Sequence, residues 1–240
     1  MTPGTLFLLP VGLGDVAWST WLPQQVRDQA CSVNHFVVEN AKSSRAELAR
    51  LGHSKPLREL SINELPAAPT NAECDKLLAP ALAGHNMALM SDAGCPAVAD
   101  PGALLVRRSH EIGISVRPLV GPSSLMLALM ASGLDGQRFS FHGYLPARDP
   151  DRAKRINSLD MESTRLTQTQ LFIETPYRNQ ALFAALLQHC RPQTRLCVAT
   201  DLTLSTEFVM TRRISEWHAM PMPDLDKRPT VFLMLADMKA

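Results

Sequence analysis

Short apolar runs alternate along this chain with stretches whose apolar positions recur every three or four residues. That pattern predicts an α/β protein built on largely parallel or mixed sheets. In the first half, residues 5–9, 35–39, 87–90 and 114–116 read as strands, and helical spacing runs over residues 16–31, 43–51 and 75–83. Gly52 and Gly84 stand just past two of these helices, where a left-handed cap is favoured. Residues 54–71, rich in proline and polar side chains, read mostly as loop. Asp100-Pro101-Gly102 opens a helix to about residue 112, because aspartate caps free N–H groups and proline suits the first helical position. Gly121-Pro122-Ser123-Ser124 repeats the device, with Gly133 past the helix end. In the second half, residues 139–144, 171–174, 196–199 and 230–235 read as strands and residues 179–190 as a helix. The expected organisation is two α/β domains, residues 1–119 and 120–240.

Composition narrows the function. With 240 residues and 45% hydrophobic content the chain can bury a large core. No apolar run is long enough to span a bilayer, and the N-terminus shows no secretory pattern. Five cysteines, an odd number without Cys-x-x-Cys spacing, argue against a disulfide framework or a zinc site and fit a reducing cytoplasm. The seven histidines form no ligand cluster, so no metal is expected. A net charge of +1 gives no global field for nucleic acid, which leaves any RNA contact to a local patch. One basic cluster, Arg148, Arg152, Lys154, Arg155 and Arg165, is expected on or near a loop. It reads either as a phosphate-contacting patch or as a solvated face offset by Asp149, Asp151 and Asp160.

Candidate chemistry gathers where strands are expected to end, since ligands of parallel α/β sheets bind outside the carboxyl ends of the strands. Ser91-Asp92-Ala93-Gly94-Cys95-Pro96 follows one strand, and its small residues let a ligand approach the backbone. Residues 10–15, 121–124 and 174–178 are loops of the same sort, and the helix opening near Ser123 and Ser124 favours an anionic group. Gly12-Leu13-Gly14 lacks the third glycine of the dinucleotide fingerprint and no P-loop is present, which disfavours ordinary NAD and ATP binding. Glu174 and Arg178 read first as a structural ion pair and second as catalytic. Asp201, Thr203 and Glu207 read first as a turn with a helix cap, and Met126 and Met130 as core filler.

Taken in order, these segments resemble the ribosomal RNA small subunit methyltransferase I family of the tetrapyrrole methylase superfamily. Residues 91–96 with 100–102 resemble its SDAG-P-DPG motif, and residues 121–124 with 131–134 its PGPSA and ASGL segments. Residues 139–146 (FSFHGYLP), 172–178 (FIETPYR) and 199–207 (ATDLT with Glu207) are similar to three further elements. The resemblance implies two α/β domains with a cofactor cleft between them, a homodimer, S-adenosylmethionine as cofactor, and methylation of a cytidine 2′-hydroxyl in small ribosomal subunit RNA. It implies cofactor contacts at Leu13, Ser91, Asp92, Ala93, Gly94, Cys95, Val98, Ser123, Ser124, Phe172, Ile173, Ala199 and Thr230. A hydroxyl acceptor benefits from a general base, for which Asp92 and Glu39 are the expected candidates and Glu174 the third. The chain departs from the family in its shorter first loop, in Glu39-Asn40-Ala41-Lys42 after the second strand, and in Leu204 where the family has lysine. A tetrapyrrole or other non-RNA acceptor, and a catalytically silent cofactor-binding module, remain open beside RNA methylation.

Overall fold

The computed structural model describes residues 2–236, which form two compact units divided between Ser123 and Ser124. In the first unit the elements run β1 (Thr5–Leu8), α1 (Gln24–Ser32), β2 (His35–Val38), α2 (Ala41–Arg50), β3 (Ser61–Glu64), α3 (Asn71–Leu82), β4 (Met87–Met90), α4 (Gly102–Glu111) and β5 (Ser115–Pro118). The five strands are all parallel, in the order β3-β2-β4-β1-β5. Alternation along each strand divides the core. Phe7, Phe36, Val38, Ala88 and Met90 face α1 and α2 through Val26, Ala30 and Leu48. Leu6, Val37, Met87 and Leu89 face α3 and α4 through Leu78, Ala81 and Leu105. Both faces of β1, β2 and β4 are covered, which is why these three strands read as continuous apolar runs.

Helix boundaries follow local chemistry. Asn40 caps α2 by accepting from the backbone of Lys42 and Ser43, and Gly52 follows it at φ 69°. A reciprocal box starts α3: Thr70 Oγ1 accepts from Glu73 N, and Glu73 accepts from Thr70 N at 2.8 Å. Such a cap contributes about 1 kcal/mol. Thr70→Ala is therefore expected to lower the denaturation free energy of the first unit by about that amount, read as a shift in the urea midpoint with an unchanged slope.

The second unit runs α5 (Ser124–Ser132), β6 (Phe139–Tyr144), α6 (Asp151–Leu166), β7 (Thr169–Ile173), α7 (Asn179–His189), β8 (Arg195–Thr200), β9 (Phe208–Arg213), α8 (Ile214–His218) and β10 (Thr230–Leu235). Its sheet has the order β6-β7-β10-β8-β9. Only β6 and β7 pair in parallel; β10 lies antiparallel between β7 and β8, and β9 antiparallel to β8. Phe172, Val198, Phe232 and Met234 face α6 and α7 through Ile156, Leu159, Leu182, Phe183 and Leu186. α5 packs on the other face, where Thr211 donates to the carbonyl of Ser132 at 2.7 Å.

Several expectations need correction. Residues 54–71 contain β3, a polar edge strand (Ser-Ile-Asn-Glu) whose identity comes from pairing with β2 and not from apolar content. β9 was likewise unreadable, because a half-exposed edge strand ending in Thr-Arg-Arg shows no clear alternation. The basic cluster of residues 148–165 lies chiefly on α6, which buries Ile156, Leu159, Ser163 and the Asp160 carboxylate, the last held by Arg191 and Thr194. Arg152 pairs with Asp149, Lys154 with Asp151 and Arg155 with Glu162, so the cluster is largely compensated by local ion pairs. Pro122 precedes α5 by two residues and is outside the helix.

Candidate active site

In the first unit the carboxyl ends of β2, β4, β1 and β5 stand side by side. Adjacent strands here send their following helices to opposite faces: α4 leaves β4 on one side, α1 and α2 leave β1 and β2 on the other. That divergence opens the crevice in which parallel α/β sheets bind ligands. Three loops are knit together at this edge. Val11 and Gly94 exchange backbone hydrogen bonds of 2.9 and 3.0 Å. Gly94 holds φ 71°, a conformation that L side chains rarely adopt, and a Cβ there would lie against Leu13 Cδ2 at 3.4 Å. Cys95 Sγ donates to the Pro122 carbonyl at 3.3 Å, and burial raises its thiol above the usual value. A Cβ on Gly121 would fall onto Pro10, within 2.6 Å of its Cγ.

The carboxylates are linked rather than isolated. Glu39 follows β2 and its backbone N–H donates to the Met90 carbonyl. Its Oε2 accepts from the backbone N–H of Asp92 at 3.1 Å. Asp92 Oδ1 in turn accepts from Ser43 Oγ at 2.6 Å. Desolvation raises the Glu39 carboxyl above the usual carboxylate value, the Asp92 N–H opposes this, and the charges of Asp92 and Asp100 add to the rise. Asp100 accepts from the backbone N–H groups of Ala97 and Gly102 at 2.9 and 2.7 Å. It thereby secures a loop in which Ala97 and Ala99 hold positive φ (67° and 63°). Non-glycine residues rarely adopt that region, and such strain gathers at ligand sites. Ser91 is buried, whereas Asp92 and Ala93 are exposed and Val98 is 48% exposed.

The second unit has an edge of its own. Antiparallel pairing brings the start of β10 beside the ends of β7 and β8: Val231 pairs with Ile173 and Ala199, and Thr230 with Thr200. Ile173, Ala199 and Thr230 thus meet although 57 residues separate the first from the last. Phe172 does not present its side chain here; it is fully buried and stacked on Phe232 at 6.0 Å, which leaves only its backbone to touch a ligand. The Thr230 hydroxyl is engaged with Thr200 Oγ1 and the Arg228 carbonyl, both at 3.0 Å. Glu174 Oε1 accepts from Arg178 Nη2 (2.6 Å), Arg178 Nε (3.0 Å) and Thr175 N (2.7 Å). The ion pair weighed first from the sequence is present.

Sequence reasoning missed Arg228 and undervalued its partner Asp201. Arg228 donates to Asp201 Oδ2 (2.8 Å), the Asp224 carbonyl (2.8 Å) and the Thr206 carbonyl (2.6 Å). This hub holds a turn in which Asp201 and Thr203 both have positive φ (50° and 74°). The turn leads into β9, so no helix follows for Asp201 to cap. The unusual backbone gave no sequence signal, since glycine is absent there. Among the described residues no group of three or more His, Cys, Asp or Glu is placed to hold a metal ion, and no helix is long and apolar enough to cross a membrane.

Comparison with known proteins accords with this geometry. The family profile of tetrapyrrole (corrin/porphyrin) methylases matches residues 16–217. The ribosomal RNA small subunit methyltransferase I of Xylella fastidiosa (strain Temecula1) is 31% identical over 98% of this chain and 81% of its own length. The protein of the same name from Neisseria meningitidis serogroup A is 36% identical over 89% of this chain and 69% of its own length. The crystal structure of the methyltransferase CobJ superposes with a TM-score of 0.64 at 15% identity, covering 97% of this chain and 94% of CobJ. A conserved hypothetical protein from Aeropyrum pernix K1 gives 0.65 at 14% identity, covering 99% and 86%. These two share the fold. Profile and relatives together establish that this chain belongs to the tetrapyrrole methylase family, among its ribosomal RNA small subunit methyltransferase I members, and is an S-adenosylmethionine-dependent methyltransferase.

Proposed function

We propose that this chain methylates a 2′-hydroxyl of small-subunit ribosomal RNA, with Glu39 as general base. The observation that carries the reading is the strand-end edge of the first unit, where Glu39 and Asp92 are hydrogen-bonded to each other beside three glycine-bearing loops. The relatives' names supply the RNA acceptor. The edge suits an adenosine-bearing ligand. Ala93 keeps its side chain short, Leu13 and Val98 offer apolar contact, and Gly12 and Gly121 let the loops pack on Trp21 and Pro10. The proposed contact set is Leu13, Ser91, Asp92, Ala93, Gly94, Cys95, Val98 and Ser123 in the first unit. In the second it is Ser124, the Phe172 backbone, Ile173, Ala199 and Thr230. We take the enzyme to act in the cytoplasm as a homodimer.

S-adenosylmethionine, when bound, supplies an activated methyl group on a sulfonium. The protein's part is alignment and proton removal. Glu39 would take up the proton that the acceptor hydroxyl gives up on methylation. The raised proton affinity of Glu39 improves it as an acceptor at neutral pH. The link from Asp92 N–H to Glu39 and from Ser43 to Asp92 keeps both carboxylates oriented. Glu174, committed to Arg178, serves to hold that guanidinium and not to move a proton.

Isothermal titration with S-adenosylhomocysteine tests the cofactor site. Saturable binding at one site per chain is expected, in the micromolar range that corresponds to about 8 kcal/mol. Transfer of labelled methyl to small ribosomal subunits lacking the modification is expected next. Absence of binding to either form of the cofactor would remove the reading; binding with methyl transfer only to non-RNA acceptors would replace the substrate.

A further inference from the structure

The carboxyl ends of β6 and β7 are neighbours in a parallel pair. Tyr144 at the end of β6 pairs with Ile173 at the end of β7, after a register shift that includes Gly143 at φ 63°. The 3-10 turn Pro176–Arg178 follows β7 directly. These two strand ends carry both of the chain's tyrosines. Tyr144 is 57% exposed and Tyr177 is 76% exposed, whereas Phe172, Phe183 and Phe232 of the same unit are fully buried. A large aromatic ring left in water at one such edge, twice over, forgoes the burial that normally stabilises it.

Cations accompany the rings. Arg178 is fixed by its two bonds to Glu174 yet remains half exposed. Lys227 is exposed, and its backbone N–H donates to the Pro176 carbonyl at 3.3 Å, which sets it beside the same turn. Arg148 is exposed four residues beyond Tyr144. Asp149, Asp224 and Asp226 partly offset these charges, so the surface is no strong phosphate funnel. Its chemistry is that of sites that take unpaired bases by their π-faces, with cations supporting the backbone.

We infer that Tyr144 and Tyr177 form a stacking surface for unpaired nucleobases of the RNA acceptor. The inference rests on the function proposed above and deepens it, because Tyr144 is the register partner of Ile173, one of the proposed cofactor contacts. Inside a duplex the base faces are closed by their stacked and paired neighbours, so only unpaired bases can meet a tyrosine ring. Bases captured on tyrosine rings free the intervening nucleotide to turn its 2′-hydroxyl inward. The surface reads no sequence by itself, since every base offers a π-face.

The test is fluorescence anisotropy of the full chain with a fluorescein-labelled single-stranded oligoribonucleotide free of self-complementarity, in parallel with S-adenosylhomocysteine titration. Tyr144→Ala and Tyr177→Ala are each expected to weaken RNA binding about tenfold, while Tyr144→Phe and Tyr177→Phe keep the ring and bind as wild type. Cofactor affinity and melting temperature of Tyr177→Ala are expected to be unchanged, and the same RNA annealed into a duplex to bind more weakly. Alanine variants that bind RNA as wild type does, or phenylalanine variants that lose as much as alanine, would overturn the surface. So would a wild-type chain that binds S-adenosylhomocysteine but no single-stranded RNA. A wild-type chain that binds no S-adenosylhomocysteine would strike instead at the methyltransferase site.

Discussion

Exchanging Glu39 for glutamine is expected to lower kcat about a hundredfold or more, the usual contribution of a positioned general base, with little change in cofactor affinity. Glutamine keeps an oxygen that can accept from the Asp92 N–H, so the loop after β4 stays in place and the loss reports proton transfer. The pH profile supplies the second reading. A base works only when deprotonated, so wild-type kcat should rise with pH through the Glu39 pKa. That pKa lies above the usual carboxylate value, because desolvation and the charges of Asp92 and Asp100 disfavour ionisation. In Glu39→Gln this acid limb should disappear. Turnover within a few-fold of wild type, with the limb intact, would transfer the role to Asp92, whose Asp92→Asn variant retains an acceptor for Ser43.

Gly121→Ala should damage the first unit more than any other single methyl at its strand-end edge. The added Cβ would land on the Pro10 ring, and the loops after β1 and β5 would have to part. Overpacking of this kind costs about 1–3 kcal/mol, or a fall of roughly 5 °C in melting temperature for a chain of this size. The same displacement moves Leu13 away from Gly94 and Pro122 away from Cys95, so S-adenosylhomocysteine affinity should drop about tenfold, the equivalent of 1.4 kcal/mol. Gly136→Ala is the control, since a Cβ there meets nothing within 4 Å. If both variants melt alike and bind alike, the close approach of the two loops does not support the site.

The two predictions differ in how far the sequence alone leads to them. Glu39 is visible at the end of a strongly apolar run, and the Ser91–Cys95 loop at the end of another, because fully buried parallel strands leave contiguous apolar stretches. The cap at Gly52 is legible for a similar reason, because the backbone conformation past a helix end selects few residue types; the Asn40 cap escapes the sequence pattern, which starts that helix at residue 43. Gly121 reads only as a helix-opening glycine; that its missing side chain makes room for Pro10 is decided by strands 110 residues apart in sequence standing next to each other.

What the amino-acid pattern determined, then, is the α/β class, the strands buried on both faces, and the loops that follow them, since burial and capping act on residues close together in the chain. Strands β3 and β9 escaped it, because a polar or half-exposed strand owes its identity to the neighbour it pairs with and not to its own apolar content. The antiparallel insertion of β10 between β7 and β8 escaped it too. That pairing brings Thr230 to Thr200 and Arg228 to Asp201, and with the local bonds from Thr203 N to Glu207 and from Thr206 to Asp201 it holds the positive-φ turn. Only the tertiary structure settles such features, for each depends on a partner that local periodicity cannot specify.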